Sequence, residues 1–342
     1  TKTAPHVRDS VDLKRAMIIV VLAMLPAFCF GLFNIGYQED ATRTIMQNFM
    51  IGLKATIPIL LVSYAVGGLW EVVFAIVRKH EINEGFLVTG FLIPMIVPPT
   101  IPLWMVAVAT SFGVIIGKEI FGGTGFNIFN PALVARAFLF FAYPGAISGD
   151  QVWTVVDGVS KATPLAVAAS EAGAHSIDLL SQANYTWSDM FYGFIPGSIG
   201  ETSTVAILIG AVILLVTRIA NWRIMAGILI GMTGITLLTN LLAQASSNPM
   251  LSLTPHYHLV MGGFAFGMVF MATDPVSAAQ SNTGRWIYGL LIGGLAVMIR
   301  SVNPAFPEGM MLAILLGNAF SPMIDYVVLR KHIKRRQKRY AK

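Results

Sequence analysis

The chain has 342 residues, 55% of them hydrophobic and 12% charged, with a formal net charge of +6 and a mean hydropathy of +0.70. Soluble domains carry about 25% charged residues, so there is too little polar surface here to cover a soluble fold and the apolar excess must face lipid. The single cysteine, Cys29, excludes an internal disulfide and any thiolate metal or iron–sulfur centre built from this chain alone. The sequence opens on Thr1 instead of Met, so an N-terminal segment is expected to precede it.

Apolar runs near the ~20 residues that cross a bilayer predict ten helices. They begin near Ala16, Ala55, Gly85, Pro102, Pro131, Ser203, Arg223, Tyr257, Arg285 and Glu308, and several are short or interrupted by proline or glycine. With both termini cytoplasmic, 18 of the 23 lysines and arginines fall on that side. They are Lys2, Arg8, Lys14, Arg15, Arg78, Lys79, Lys118, Arg218, Arg223, Arg285 and the eight between Arg330 and Lys342. This positive-inside bias makes the tail a cytoplasmic anchor against membrane lipid and argues against a nucleic-acid partner.

The predicted order is a cytoplasmic N-terminal segment (1–15), five helices (16–143), an external loop (144–202), five more helices (203–329) and a basic cytoplasmic tail (330–342). The loop is polar and acidic, with Asp150, Asp157, Glu171, Asp178, Asp189 and Glu201 against Lys161 alone. So little basic charge lets it cross the membrane, and loops of this length are usually functional or disordered.

An internal repeat relates the two helical blocks. GFLVTGFLIPMIVPPTIP from Gly85 is answered by GFAFGMVFMATDPVSAAQ from Gly263, and FNPALVARAFL from Phe129 by VNPAFPEGMMLAILL from Val302. Because each block holds an odd number of helices, the second must be inverted relative to the first. Inverted repeats with helices broken at matching places are a transporter-like architecture, with sites near the midplane.

Within the loop, Asp157-Gly158-Val159-Ser160-Lys161-Ala162-Thr163 is similar to the flavinylation motif Asp-Gly-x-Ser/Thr-Gly-Ala-Thr, with Lys161 at the usual glycine. At that motif a flavin transferase joins FMN to threonine through a phosphoester, using FAD as donor. The opening Ala4-Pro5-His6-Val7-Arg8-Asp9, the segment Phe33-Asn34-Ile35-Gly36-Tyr37-Gln38, the run from Gly122 to Ala132 and Ala272-Thr273-Asp274-Pro275-Val276-Ser277 extend the likeness along the chain. Together these residues resemble the NqrB/RnfD family, and within it the B subunits of the bacterial sodium-translocating NADH:quinone oxidoreductases. The RnfD-type member of the ferredoxin:NAD oxidoreductase complex is the nearest alternative, and a cofactor-free channel or transporter is the alternative from another class.

The resemblance implies a multi-pass inner-membrane subunit, inactive alone, that works with five others (A, C, D, E and F). It implies covalent FMN on Thr163, with Ser160 and Ala162 beside it in a periplasmic loop, non-covalent riboflavin, ubiquinone as substrate and Na+ as the transported ion. No G-x-G-x-x-G follows a strand, so NADH is oxidised in another subunit. Riboflavin is expected at the turn carrying Gly125, Asn127 and Asn130, although Asn130 before Pro131 also reads as a helix cap. Gly67 and Gly68 beside Trp70 leave room for a flat quinone head or for close helix packing. Glu71 and Asp325 are the membrane carboxylates that could take up sodium, pair with a cation or reach water. Arg136, inside the fifth predicted helix, is expected to hold an acid, a carbonyl or a flavin oxygen. No metal-ligand set is read in the sequence: His256 and His258 are too few.

Overall fold

A computed structural model describes residues 13–79, 85–148, 152–154, 161–171, 173–243, 246–302 and 309–340. Among the described residues all regular structure is helical. The first block contains α1 (Leu13–Glu39), α2 (Ile45–Arg78), α3 (Gly85–Met95), α4 (Leu103–Gly117) and α5 (Pro131–Ala142). Four short helices follow: α6 (Pro144–Ile147), α7 (Pro164–Ala168), α8 (Ser176–Gln182) and α9 (Trp187–Tyr192). The second block contains α10 (Thr204–Val216), α11 (Trp222–Leu242), α12 (Pro255–Val260), α13 (Phe264–Phe266), α14 (Asn282–Val302) and α15 (Met310–Tyr340). Six of these helices are long and apolar enough to span a membrane, and α3, α5 and α10 are shorter apolar helices.

Predicted and observed starts agree closely except at α2, which begins at Ile45 instead of near Ala55. The reason is local. Thr44 accepts from Gln47 N while the Gln47 side chain accepts from Thr44 N, a capping box that holds a helix start ahead of the apolar run. The segment predicted from Tyr257 is broken: α12 ends at Val260, α13 resumes at Phe264, and a π-helical turn follows over Gly267–Met271. Helix α15 runs unbroken into the basic tail as far as Tyr340. Lysine and arginine are good helix formers and favour a helix C-terminus.

The core lies where α1, α3, α4 and α5 meet α10, α11, the π turn, α14 and α15, around Met24, Leu92, Leu133, Ile207, Phe266 and Ile314. Leu61, Ile76, Val212 and Leu241 point outward and are exposed, as lipid-facing side chains would be. The segment predicted as a loop carries a small core of its own, with Leu165, Ala168, Leu180 and Met190 packed on Met250, Leu253 and Met261 from the second block.

Helices α11 and α14 cross at glycines. A Cβ on Gly293 would collide with the Ile228 carbonyl oxygen, and one on Gly231 with that of Leu290, so the small-xxx-small spacing serves backbone-to-backbone packing. Gly293→Val should therefore cost about 1–3 kcal/mol through overpacking, read as a lowered thermal midpoint of the detergent-solubilised protein. Gly234→Ala, where nothing lies within 4 Å of the added carbon, should leave that midpoint unchanged or raise it.

Candidate functional site

Two cavities flank the helix breaks. The inner one is lined by both blocks: Val88, Thr89 and Leu92 of α3, the turn from Lys118 to Pro131, and Phe270 to Val276 after the π turn. The turn exists because Gly122, Gly123 and Gly125 adopt φ of +124°, +94° and +93°, which L side chains rarely take. It brings Asn127 and Asn130 to the cavity wall. Asn130 also caps α5, its Oδ1 accepting from Ala132 N (3.0 Å) and Leu133 N (3.4 Å). Asn127 Nδ2 donates to the Phe129 carbonyl at 2.9 Å. Gly125 stands in open surroundings and does not line the wall.

Sequence reasoning missed Thr89, Lys118 and Thr124, which also line this cavity. Thr124 Oγ1 is buried with no hydrogen-bond partner. Asp274 lines it too and accepts from Val276 N (3.2 Å) and Ser277 Oγ (2.8 Å), a turn cap as its place before Pro275 suggests.

The outer cavity is lined by Trp153, Thr163, Ile195, Ser198, Glu201 and Thr202, among others. Thr163 caps α7, with Oγ1 accepting from Ala166 N at 3.3 Å. The residues just before it are held from two sides: Tyr185 Oη donates to the Ala162 carbonyl at 2.8 Å, and Lys161 Nζ donates to the Gln38 carbonyl at 2.8 Å and to Gln38 Oε1 at 3.2 Å. Gln38 Nε2 donates to Asn34 Oδ1, and Asn34 Nδ2 to the Ile195 carbonyl, which closes the chain of contacts back to the cavity. Burial pushes the Lys161 ammonium below the usual lysine value. Ser160, with residues 155–159, lies outside the described residues.

Two hydroxyls at this cavity, Ser198 Oγ and Thr202 Oγ1, are buried without partners. No helix periodicity or motif marks them, because they sit in a turn closed by Ile199 N and Gly200 N donating to the Val97 and Met95 carbonyls. Arg136 holds an acid: its Nη1 meets Glu201 Oε1 at 2.5 Å, with the two side chains only 6% and 8% exposed.

The remaining expected residues lie apart from these walls. Gly67 packs on the Phe86 ring, which an added Cβ would strike, so close packing fills that notch, and Gly68 is more open. Trp70 Nε1 donates to Ser111 Oγ at 2.9 Å. Glu71 is buried and paired with Lys118 Nζ. Asp325 takes backbone donors at the start of α14, accepting from Gln280 N (2.6 Å), Ser281 N (3.0 Å) and Ser281 Oγ (2.5 Å).

A helical membrane protein with two cavities at its helix breaks, one of them walled by a helix-capping threonine, is the class these features define. The chain belongs to the NQR2, RnfD, RnfE family, whose model matches residues 1–334. Relatives that carry the name of the B subunit of Na(+)-translocating NADH-quinone reductase include those of Ectopseudomonas mendocina (52% identical, covering 98% of this chain and 89% of the relative) and Chromohalobacter salexigens (52%, 100% and 88%). A third, from Klebsiella pneumoniae, is 51% identical and covers 99% of this chain and 90% of the relative.

Removing Arg136 would break a buried ion pair with Glu201, which costs about 3–5 kcal/mol. Arg136→Met should therefore lower the thermal midpoint sharply, and the double variant Arg136→Met, Glu201→Gln should regain most of the loss. An additive double variant would show that the two groups are not coupled.

Proposed function

We propose that this chain is the B subunit of a sodium-translocating NADH:quinone oxidoreductase, acting with five others (A, C, D, E and F) in the bacterial inner membrane. It carries FMN on Thr163 and riboflavin in the inner cavity, and helps pass electrons to ubiquinone while Na+ crosses. Full-length relatives of about 50% identity carrying that name support the reading. The observation that carries its chemical part is Thr163 on the wall of a cavity whose Ser198 and Thr202 hydroxyls have no partner in the protein.

The residues present fit both flavins. In the outer cavity, Ser198 and Thr202 offer hydroxyls to a ribityl or phosphate oxygen beside Thr163, and Trp153 offers a buried aromatic wall. In the inner cavity, Asn127 and Thr124 offer an amide and a partnerless hydroxyl to the polar edge of a flat ring system, and Leu92 and Phe270 offer apolar faces. A bound flavin supplies one- and two-electron transfer that no side chain here can perform. The protein's share is positioning: Lys161 and Tyr185 fix the backbone before Thr163, and the α7 cap fixes its Oγ1. In maturation by a flavin transferase, the Thr163 Oγ–phosphorus bond forms, the pyrophosphate of FAD breaks, and AMP leaves as the hydroxyl proton is lost.

The architecture behind this reading is ten membrane segments in two inverted halves, with the broken run from α12 through the π turn counted as one of them. Its support is that α1 packs on α10, the first helix of each half, and that α5 and α15 pack on α4 and α14 in the same way. The cytoplasmic termini and the periplasmic position of the Thr163 cap rest on the charge bias. The quinone head is assigned to the α2 face at Gly68 and Trp70, reached when the Phe86 ring turns off Gly67. Glu71 is the carboxylate assigned to sodium uptake, whereas the three donors on Asp325 give it an anchoring role.

The test is the mass of the Thr163 proteolytic fragment after co-expression with the flavin transferase. A gain of one FMN less water, absent in Thr163→Ala, is the expected result, and an unmodified fragment would overturn the covalent assignment.

A further inference from the structure

Lys118 is the one buried lysine among the described residues, and it touches two things at once. Its Nζ donates to Glu71 Oε1, in a pair whose side chains are 3% and 4% exposed. Lys118 also lines the inner cavity, whose wall includes Asp274 and Asn127. The next charges along the chain are already matched, since Arg78 Nη1 meets Glu119 Oε2 at 2.9 Å. The Glu71 carboxylate thus has a single cationic neighbour among the ion pairs described, and that neighbour sits at the end of a flexible four-carbon stem.

A carboxylate this deeply buried is not tolerated without a counter-charge. The Lys118 ammonium stands where a monovalent cation would stand, so a cation reaches Glu71 only when Lys118 leaves. The other surface Lys118 touches is the cavity wall. A further oxygen lies nearby: Thr110 Oγ1 is fully buried without a partner, and Thr110 packs on Gly67, one helical turn from Glu71.

We propose that Lys118 is the movable counter-charge of a sodium site at Glu71, and that negative charge arriving in the inner cavity draws the ammonium off Glu71 and lets Na+ replace it. The exchange is electroneutral at each place. Charge in the cavity is met by Lys118, and the charge left on Glu71 is met by Na+; only hydrogen bonds and ion contacts change. The proposal rests on the functional reading above and adds to it the residue that links the cavity to the ion.

Equilibrium binding of radioactive Na+ to the complete purified complex tests this, oxidised and after anaerobic reduction with NADH. The wild-type complex should bind one more Na+ per chain when reduced. Lys118→Met should bind that ion already when oxidised, at least tenfold more tightly than the oxidised wild type, with no further gain on reduction. Glu71→Gln should lack the site in both states. Lys118→Arg, which keeps the charge but clamps the carboxylate with a rigid fork, should weaken the reduction-dependent binding at least tenfold, and it serves where Lys118→Met does not assemble. A wild-type pattern in Lys118→Met or Lys118→Arg overturns the proposal. Flavin content is measured on the same preparations: flavin present with an unchanged sodium pattern removes the role of Lys118 alone, whereas absence of flavin overturns the functional reading and the proposal together.

Discussion

Backbone carbonyls released where a membrane helix stops must find donors in a medium that supplies no water. Arg300 meets this demand in the second block: fully buried, it donates from Nη1 to the His258 carbonyl at 2.9 Å and from Nη2 to the Met261 carbonyl at 3.0 Å, across the gap between α12 and α13. In the first block the same need after α3 is met by backbone, through Ile199 N and Gly200 N on the Val97 and Met95 carbonyls. Because both breaks are satisfied from within, the chain can leave helical geometry inside the core without exposing polar groups to lipid. Space for a ligand opens beside them, the outer cavity between residues 195–202 and Gly262 and the inner one under Phe270 to Val276.

Charge obeys the same constraint. Glu71 with Lys118, Arg78 with Glu119, and Arg136 with Glu201 are three pairs in which each acid is buried or nearly so and each is matched. Such pairs add little net stability over an apolar core, yet losing one partner is expensive. The proposed exchange at Glu71 follows this rule, since a bare buried carboxylate is a costly intermediate. The pair that borders the inner cavity is therefore where charge in that cavity and ion occupancy can be linked, while the pair at Glu201 ties α5 to the outer cavity and the cap above it.

The helices were legible because lipid imposes a strong and simple pattern: long apolar runs with few charges inside them, and Asn130-Pro131 at the head of α5. What escaped was set by local caps and by tertiary contact. The Thr44 and Gln47 box lengthens α2 through residues too polar to enter an apolar window. The cap around α7, α8 and α9 is built from pieces too short for periodicity to reveal. Asn127, Asn130 and Thr163 could be singled out, but Ser198, Thr202 and Lys118 could not, because their significance lies in missing or shared partners that only the folded chain displays. Asp325, a carboxylate the sequence marks for a cation, accepts in the fold from the backbone amides of Gln280 and Ser281, contacts that no sequence pattern announced.

The central claim is that the two cavities are flavin sites served by the residues that line them. A density map of the purified complex with its flavins tests it most directly. The account predicts a flat tricyclic density between Lys118, Asn127 and Phe270, and a second one continuous with Thr163 Oγ1 and within hydrogen-bond reach of Ser198 and Thr202. Lipid or rearranged side chains in those positions, with flavin density elsewhere in the chain, would contradict it.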